Sequence, residues 1–149
     1  MNCPVCNQPL IILELNKIEI DYCTICKGIW LDKGELELLL QESEQKNKTA
    51  LPAGRLLDSF SIDKKSKEKK IRCPICSKKM DKVLYGDENW ESIPPTAGKI
   101  TIDRCSVKAG LHGLWFNKGE LESVIKMGSP DEQNKIVVLL KEMFAYNFR

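Results

Sequence analysis

The sequence predicts a small α+β fold: two tandem modules, each a β-hairpin followed by a helix, with one more helix at the C-terminal end. Three observations lead there. The chain of 149 residues writes three blocks twice in the same order. Within each copy the apolar spacing changes from period two to the helical pattern. Seven cysteines, an odd number for disulfide pairing, are accompanied by a single histidine, and the eight side chains together make two sets of four.

The repeat is direct. Cys3-Pro4-Val5-Cys6 returns as Cys73-Pro74-Ile75-Cys76, and Ile18-Glu19-Ile20-Asp21-Tyr22-Cys23 as Ile100-Thr101-Ile102-Asp103-Arg104-Cys105. Gly28-Ile29-Trp30-Leu31-Asp32-Lys33-Gly34-Glu35-Leu36-Glu37 returns as Gly113-Leu114-Trp115-Phe116-Asn117-Lys118-Gly119-Glu120-Leu121-Glu122. These blocks divide the chain into a first module, 1–42, a basic polar linker, 43–70, a second module, 71–128, and a C-terminal helix, 129–149.

In each module, alternating Ile18, Ile20 and Tyr22, and again Ile100 and Ile102, predict a strand with one face inward. Ile11 to Leu15 and Val83 to Tyr85 supply its hairpin partner. Asp32 and Glu35, like Asn117 and Glu120, stand three apart ahead of an apolar run. That spacing predicts a helix start in which Asp32 or Asn117 is the N-cap and the glutamate reaches back to it. Capping accounts for the two glutamates without a catalytic role. Leu36, Leu39 and Leu40, and their counterparts Leu121, Val124 and Ile125, then form one apolar stripe per helix, facing the module's own hairpin. Trp30 and Trp115, set between the second cysteine group and the helix, are expected to fill the core.

Modules of about 40 residues seldom repay chain entropy with a hydrophobic core alone. Two thiolates separated by two residues can grip one tetrahedral ion from a tight turn, and two such turns at the ends of a hairpin complete its shell. Cys3, Cys6, Cys23 and Cys26 have that spacing, with 16 residues between the pairs. Gly28 is expected to take a positive φ and turn the chain out of the knuckle. The second copy has Cys73, Cys76 and Cys105 but no fourth cysteine. Aligning Gly113 with Gly28 leaves three extra residues after Cys105 and puts His112, the only histidine, just before the glycine; it is the predicted fourth ligand. The expected cofactors are two structural Zn²⁺ ions.

Four protein ligands leave a zinc ion no position for water, so no enzymatic activity is expected. No phosphate-cradling glycine loop is present, nor a His-x-Glu with Pro-Cys-x-x-Cys order as in zinc deaminases. A thioredoxin-like use of the Cys-Pro-x-Cys motif would need a βαβ setting that the pattern lacks.

These residues resemble the transcription-factor zinc-finger family, a TFIIB-type zinc ribbon: a Cys-Pro-x-Cys pair, a hairpin, a Cys-x-x-Cys-x-Gly-x-Trp block and Leu-Asp-x-Gly-Glu-Leu-Glu. Residues 3–40 resemble it almost completely. Residues 73–125 depart twice, in His112 and in the 28 residues between Cys76 and Cys105. The resemblance implies zinc binding and, by the family's name, a link to nucleic acid or transcription; fold alone does not fix function.

Composition, 42% hydrophobic and 30% charged, excludes a collagen, a disordered tail and a membrane barrel. The longest apolar stretches, such as Ile136 to Leu140, are about a quarter of the roughly 20 residues a membrane helix needs. No secretory signal opens the sequence, so the cytoplasm is the expected compartment and disulfides are not expected. The first module has three basic and seven acidic residues, the linker eight and four, and the remainder twelve and ten. Loading both sites would move the formal charge from +2 to about −1, a poor general match to a phosphate backbone. The candidate nucleic-acid contact is therefore local: Lys64, Lys65, Lys67, Lys69, Lys70 and Arg72, continuing to Lys78, Lys79 and Lys82.

The competing class is a protein-binding adaptor. From Ser129 the chain reads as a helix, with Pro130 in its first turn, Asp131 and Glu132 favourable to its dipole, and Ile136, Val137, Leu139, Leu140, Met143, Phe144 and Phe148 following. That apolar arc could pack within the chain, self-associate, or dock another protein. The longer second hairpin, Gly86 to Gly98, carries Trp90, Ile93, Pro94 and Pro95 as a cover for the core or a contact surface.

Overall fold

The computed structural model describes residues 1–43, 61–62, 68–85, 100–128 and 135–145. The long hairpin tip at Gly86 to Gly98 and most of the linker, with Lys64, Lys65 and Lys67, lie outside the described residues.

The first half supplies β1 (Ile11–Leu15), β2 (Ile18–Tyr22), β3 (Ile29–Asp32) and α1 (Glu35–Ser43). Asn16 and Lys17, both at positive φ (50° and 69°), turn β1 into β2 as a two-residue hairpin loop whose twist matches the strands. β4 (Ser61–Ile62) is a short strand within the stretch expected as linker. β5 (Asp81–Tyr85), β6 (Ile100–Arg104), a 3₁₀ turn (Val107–Ala109), β7 (Gly113–Phe116) and α2 (Glu120–Gly128) complete the second half, and α3 (Lys135–Ala145) follows. The α+β expectation holds.

The expected strand–strand–helix module gains a third strand in each half, and that strand joins the halves. β3 pairs antiparallel with β7, Trp30 opposite Trp115 and Ile29 opposite Phe116, so among the described residues one seven-stranded sheet runs β1-β2-β3-β7-β6-β5-β4. Trp30 and Trp115 are also the residues that the sequence repeat equates, which places a local two-fold axis between them, as in an isologous dimer interface.

Period-two alternation then sorts the side chains. Ile29, Leu31, Leu114 and Phe116 face a core shared by both halves, with Ile20, Tyr22, Leu36, Leu39, Val83, Ile102, Leu121 and Val124. Trp30 and Trp115 point to the opposite face, where they pack with Met80 and with Cys3, Cys23, Cys73 and Cys105. The central strands are thus buried on both faces, by helices on one and by cysteine knuckles and indoles on the other.

The C-terminal helix covers the shared core. Ile136, Val137 and Leu140 are fully buried and Met143 nearly so, so of the three outcomes open to the arc this part of it takes packing within the chain; the helix start expected at Ser129 to Glu132, the Phe144 side chain and Phe148 lie outside the described residues. No helix among the described residues is long and apolar enough to cross a membrane.

Candidate metal centres

Three knuckles are built alike. In each, the first cysteine's amide closes the turn by donating to the carbonyl two residues past the second cysteine: Cys3 N–H to Gln8 O at 2.7 Å, Cys23 N–H to Gly28 O at 3.0 Å and Cys73 N–H to Lys78 O at 2.9 Å. The residue after each second cysteine (Asn7, Lys27 and Ser77) sits at a φ of 60–65°, where the chain reverses. Amides inside the turn point at sulfur: Val5 and Cys6 N–H at Cys3 Sγ (3.4 and 3.5 Å), Cys26 N–H at Cys23 Sγ (3.5 Å) and Ile75 N–H at Cys73 Sγ (3.4 Å). Such donors stabilise thiolates.

Gly28 departs from expectation. The left-handed residue of its knuckle is Lys27, and Gly28 is required for space: a Cβ there would run into the Trp115 ring. Its counterpart mirrors it, since a Cβ at Gly113 would meet the Leu31 carbonyl and, at 2.7 Å, Trp30 Cζ2. Each half's glycine admits the other half's tryptophan.

The helix start is also revised. Glu35 Oε2 accepts the Asp32 amide at 2.8 Å and Glu120 Oε2 the Asn117 amide at 2.8 Å, as the spacing predicts. The first helical bonds, however, are Leu38 N–H to Gly34 O and Ser123 N–H to Gly119 O, so the glycines at φ 96° and 83° occupy the N-cap. Asp32 Oδ1 accepts the Trp30 indole at 2.8 Å and Asn117 Oδ1 the Trp115 indole at 3.1 Å. These side chains tie each buried tryptophan to its turn.

The structure brings together all eight predicted ligands, as two clusters. Cys3, Cys6, Cys23 and Cys26 form one and Cys73, Cys76, Cys105 and His112 the other, and within each the donor atoms all lie within 4.8 Å of one another. All seven cysteines are free thiols. Sulfur separations are 3.5 Å (Cys3–Cys26), 3.3 Å (Cys6–Cys23) and 3.8 Å (Cys76–Cys105), and His112 Nδ1 is 3.4 Å from Cys105 Sγ. Sulfurs on a tetrahedral zinc with Zn–S bonds of about 2.3 Å stand about 3.8 Å apart, so both donor sets fit a zinc ion. Burial drives Cys3 well above the ordinary thiol range and Cys105 up to about 12. Cys23 moves the other way, to about 7, because the Cys26 amide and the Cys6 thiol outweigh burial. Packed thiols that resist further ionisation are the setting in which a divalent cation, by supplying positive charge, displaces protons.

His112 reaches its place through the three-residue insertion. Ser106 O accepts from the Ala109 and Leu111 amides, and the Cys105 amide donates to Gly113 O at 3.1 Å, the bond that Cys23 makes to Gly28 in the first half. The His112 carbonyl accepts the Lys33 amide of the first half at 3.0 Å.

Among the basic candidates, Lys69, Lys70, Arg72, Lys78 and Lys79 are exposed. Lys82 is not: it is buried, its Nζ 2.6 Å from Asp103 and 3.3 Å from Glu68. Burial alone would lower its pKa, but these two carboxylates hold it above the ordinary lysine value. It belongs to the structure of the sheet, not to the surface patch. A cross-strand register opposing Lys82 to Asp103 is what makes this pair.

Residues 2–42 match the model of the family described as transcription factor zinc-finger, a TFIIB-type zinc ribbon. That stretch holds the complete four-cysteine cluster, and the match supports zinc as its metal; the second cluster lies outside the matched residues. No curated protein and no solved structure matches the chain.

Proposed function

We propose that the chain is a non-enzymatic protein holding two structural zinc ions, one on Cys3, Cys6, Cys23 and Cys26 and one on Cys73, Cys76, Cys105 and His112, and that it serves as a nucleic-acid-binding or transcription-related module. The observation that carries the zinc reading is the convergence of four donor atoms at each of two places, at separations that a tetrahedral ion requires. The second half is, on this reading, a diverged second copy of the module matched at 2–42, since it repeats the order knuckle, hairpin, strand, helix. Four protein donors per ion leave no open position for a water or substrate, which supports a structural role for both.

The nucleic-acid reading draws support from the family description at 2–42 and from the exposed run of Lys69, Lys70, Arg72, Lys78 and Lys79. A protein adaptor is the alternative, favoured by the exposed knuckle tips Val5, Ile25 and Ile75; the inward face of α3 weakens the version that relies on that helix. Elemental analysis of chelator-free protein should return two zinc ions per chain, and one or none would overturn the two-site reading. Labelled DNA or RNA should bind at about 50 mM salt and weaken steeply by about 200 mM. No binding at the lower salt would transfer the role to a protein partner.

A further inference from the structure

Where the two halves meet on the knuckle side of the sheet, they enclose a groove of about 900 Å³ that neither half forms alone. One wall is the first knuckle of the first half, with Pro4 and Val5. The other is the first knuckle of the second half, with Pro74, and the segment from Lys69 to Arg72 that leads into it. Lys69, Lys70 and Arg72 all line this groove, and among the described residues no aspartate or glutamate does. Arg72 is held there by donating from Nη1 to Ser77 O at 3.0 Å. Lys70 lies 3.9 Å from Asp81, a solvent-facing ion pair of the kind that contributes little and yields easily to a stronger anion.

We propose that this groove between the two Cys-Pro-x-Cys knuckles is a binding track for the phosphate backbone of single-stranded nucleic acid, read without base sequence. The proposal rests on the nucleic-acid reading above and deepens it. Three cations with no counter-charge among the described lining residues fit a polymer whose charges are close and regular. The apolar knuckle residues add contact area with no directional hydrogen bonds. Aromatic stacking, which usually accompanies such tracks, is not available from Trp30 or Trp115, because both are fully buried; the track therefore grips backbone and leaves bases unread. A concave groove accepts a flexible single strand, whereas a stiff, convex duplex would rest on its rims.

Fluorescence anisotropy of labelled oligo(dT) and of a duplex of equal length, with the zinc-loaded full chain over a range of salt, tests this. The single strand should bind more tightly, with a slope of log affinity on log salt that includes about −2 from three phosphate contacts at roughly −0.7 each. The triple variant Lys69→Gln, Lys70→Gln, Arg72→Gln should lose on the order of 100-fold at about 50 mM salt and flatten the slope by about 2, while Lys135→Gln with Lys141→Gln, on the exposed side of α3, should change nothing. Val5→Glu separates the groove from a merely charged run, because Val5 is exposed and belongs to the opposite wall. It should cost about tenfold with zinc content and circular dichroism unchanged, by like-charge repulsion of the phosphates. If Val5→Glu is silent while the triple variant fails to bind, the groove is overturned and the nucleic-acid reading stands. Preference for the duplex overturns the single-strand assignment, equal binding of poly-glutamate overturns the choice of nucleic acid, and no binding of any nucleic acid overturns both readings.

Discussion

The two candidate metal clusters are framed by the same backbone bonds and closed in different ways. In the first half the bond from Cys23 to Gly28 encloses a tight knuckle that carries Cys26. In the second, the equivalent bond from Cys105 to Gly113 encloses a 3₁₀ turn, Gly110 at φ 110° and Leu111 at φ 50°, and delivers an imidazole. The ends of this loop are set by the sheet, since Gly28 and Gly113 border the paired central strands; the content of the loop is free. Length can then be exchanged for ligand type, because an imidazole brought by a longer arch places its nitrogen near where the fourth sulfur would stand.

The largest expected effect tests whether the halves act as one body. Structural zinc binding is worth on the order of 10–16 kcal/mol of apparent free energy, and the indoles of both halves pack against cysteines of both clusters. Stripping zinc with a strong chelator should therefore unfold the two halves in a single transition. Two separate calorimetric transitions, or a circular dichroism spectrum unaffected by metal removal, would break that unity.

Next in size is the inequality of the sites. The second has one thiolate fewer, and the loop carrying its last ligand is longer, so it should release zinc first in a chelator titration. His112→Ala should leave one tightly held zinc, whereas Cys26→Ala should damage the more resistant site. If His112→Ala keeps two zinc ions with unchanged resistance, His112 is not a ligand.

Much of this frame is legible in the sequence: all eight clustered side chains, both hairpins and the helix that follows each. The joining strands are not, for a physical reason. A strand buried on both faces has no alternation to show, and Ile29-Trp30-Leu31 and Leu114-Trp115-Phe116 read as plain apolar triplets between a knuckle and a helix. Their recurrence in both copies was the available signal. The same blind spot explains Gly28: its steric role depends on Trp115, 87 positions away, which no local rule reaches. Lys82 reads from sequence as part of a basic surface, because strand register alone brings Asp103 opposite it. The N-cap is not at Asp32 or Asn117 because the glutamate bond spans a turn ending in a left-handed glycine, which displaces the helix start by two residues.

That reciprocal packing permits a third comparison. Gly113→Ala would press a methyl group on the Leu31 carbonyl, with Asp32 Cα at 3.1 Å, and main chain in a paired strand has little room to move. For Gly28→Ala the nearest atoms all belong to the Trp115 ring, which can shift by adjusting its torsions. Overpacking of this kind costs about 1–3 kcal/mol and occasionally more; Gly113→Ala should fall at or above the top of that range and Gly28→Ala within it. Chemical denaturation of the zinc-loaded variants measures both, and the reverse order would show that β3 yields more readily than the indole.

The smallest effect distinguishes the two helix starts by charge. Burial pushes the Glu35 carboxyl up to about 7, and the carboxylates of Asp32, Asp21 and Glu19 push in the same direction against the Asp32 amide. Glu120 is raised as well, first by burial, but it faces a neutral Asn117 whose side chain and amide both favour its charged form. An acid whose folded pKa is raised binds its proton more tightly when folded. Its contribution is thus most favourable below the unfolded value of about 4.5 and is lost as pH rises toward 7, then constant. Glu35→Gln can keep an oxygen on the Asp32 amide while removing the charge, so its stability relative to the parent protein should grow across that window to about 1 kcal/mol, a modest figure because the carboxyl is partly exposed and screened by water. Asp32→Asn, which copies the second half and preserves an oxygen for the Trp30 indole, should recover part of the same gain. Taking differences between variant and parent at each pH cancels the acid release of zinc common to both. A difference that stays flat from pH 5 to 8 would mean that Glu35 is as free to ionise in the folded protein as in the unfolded chain.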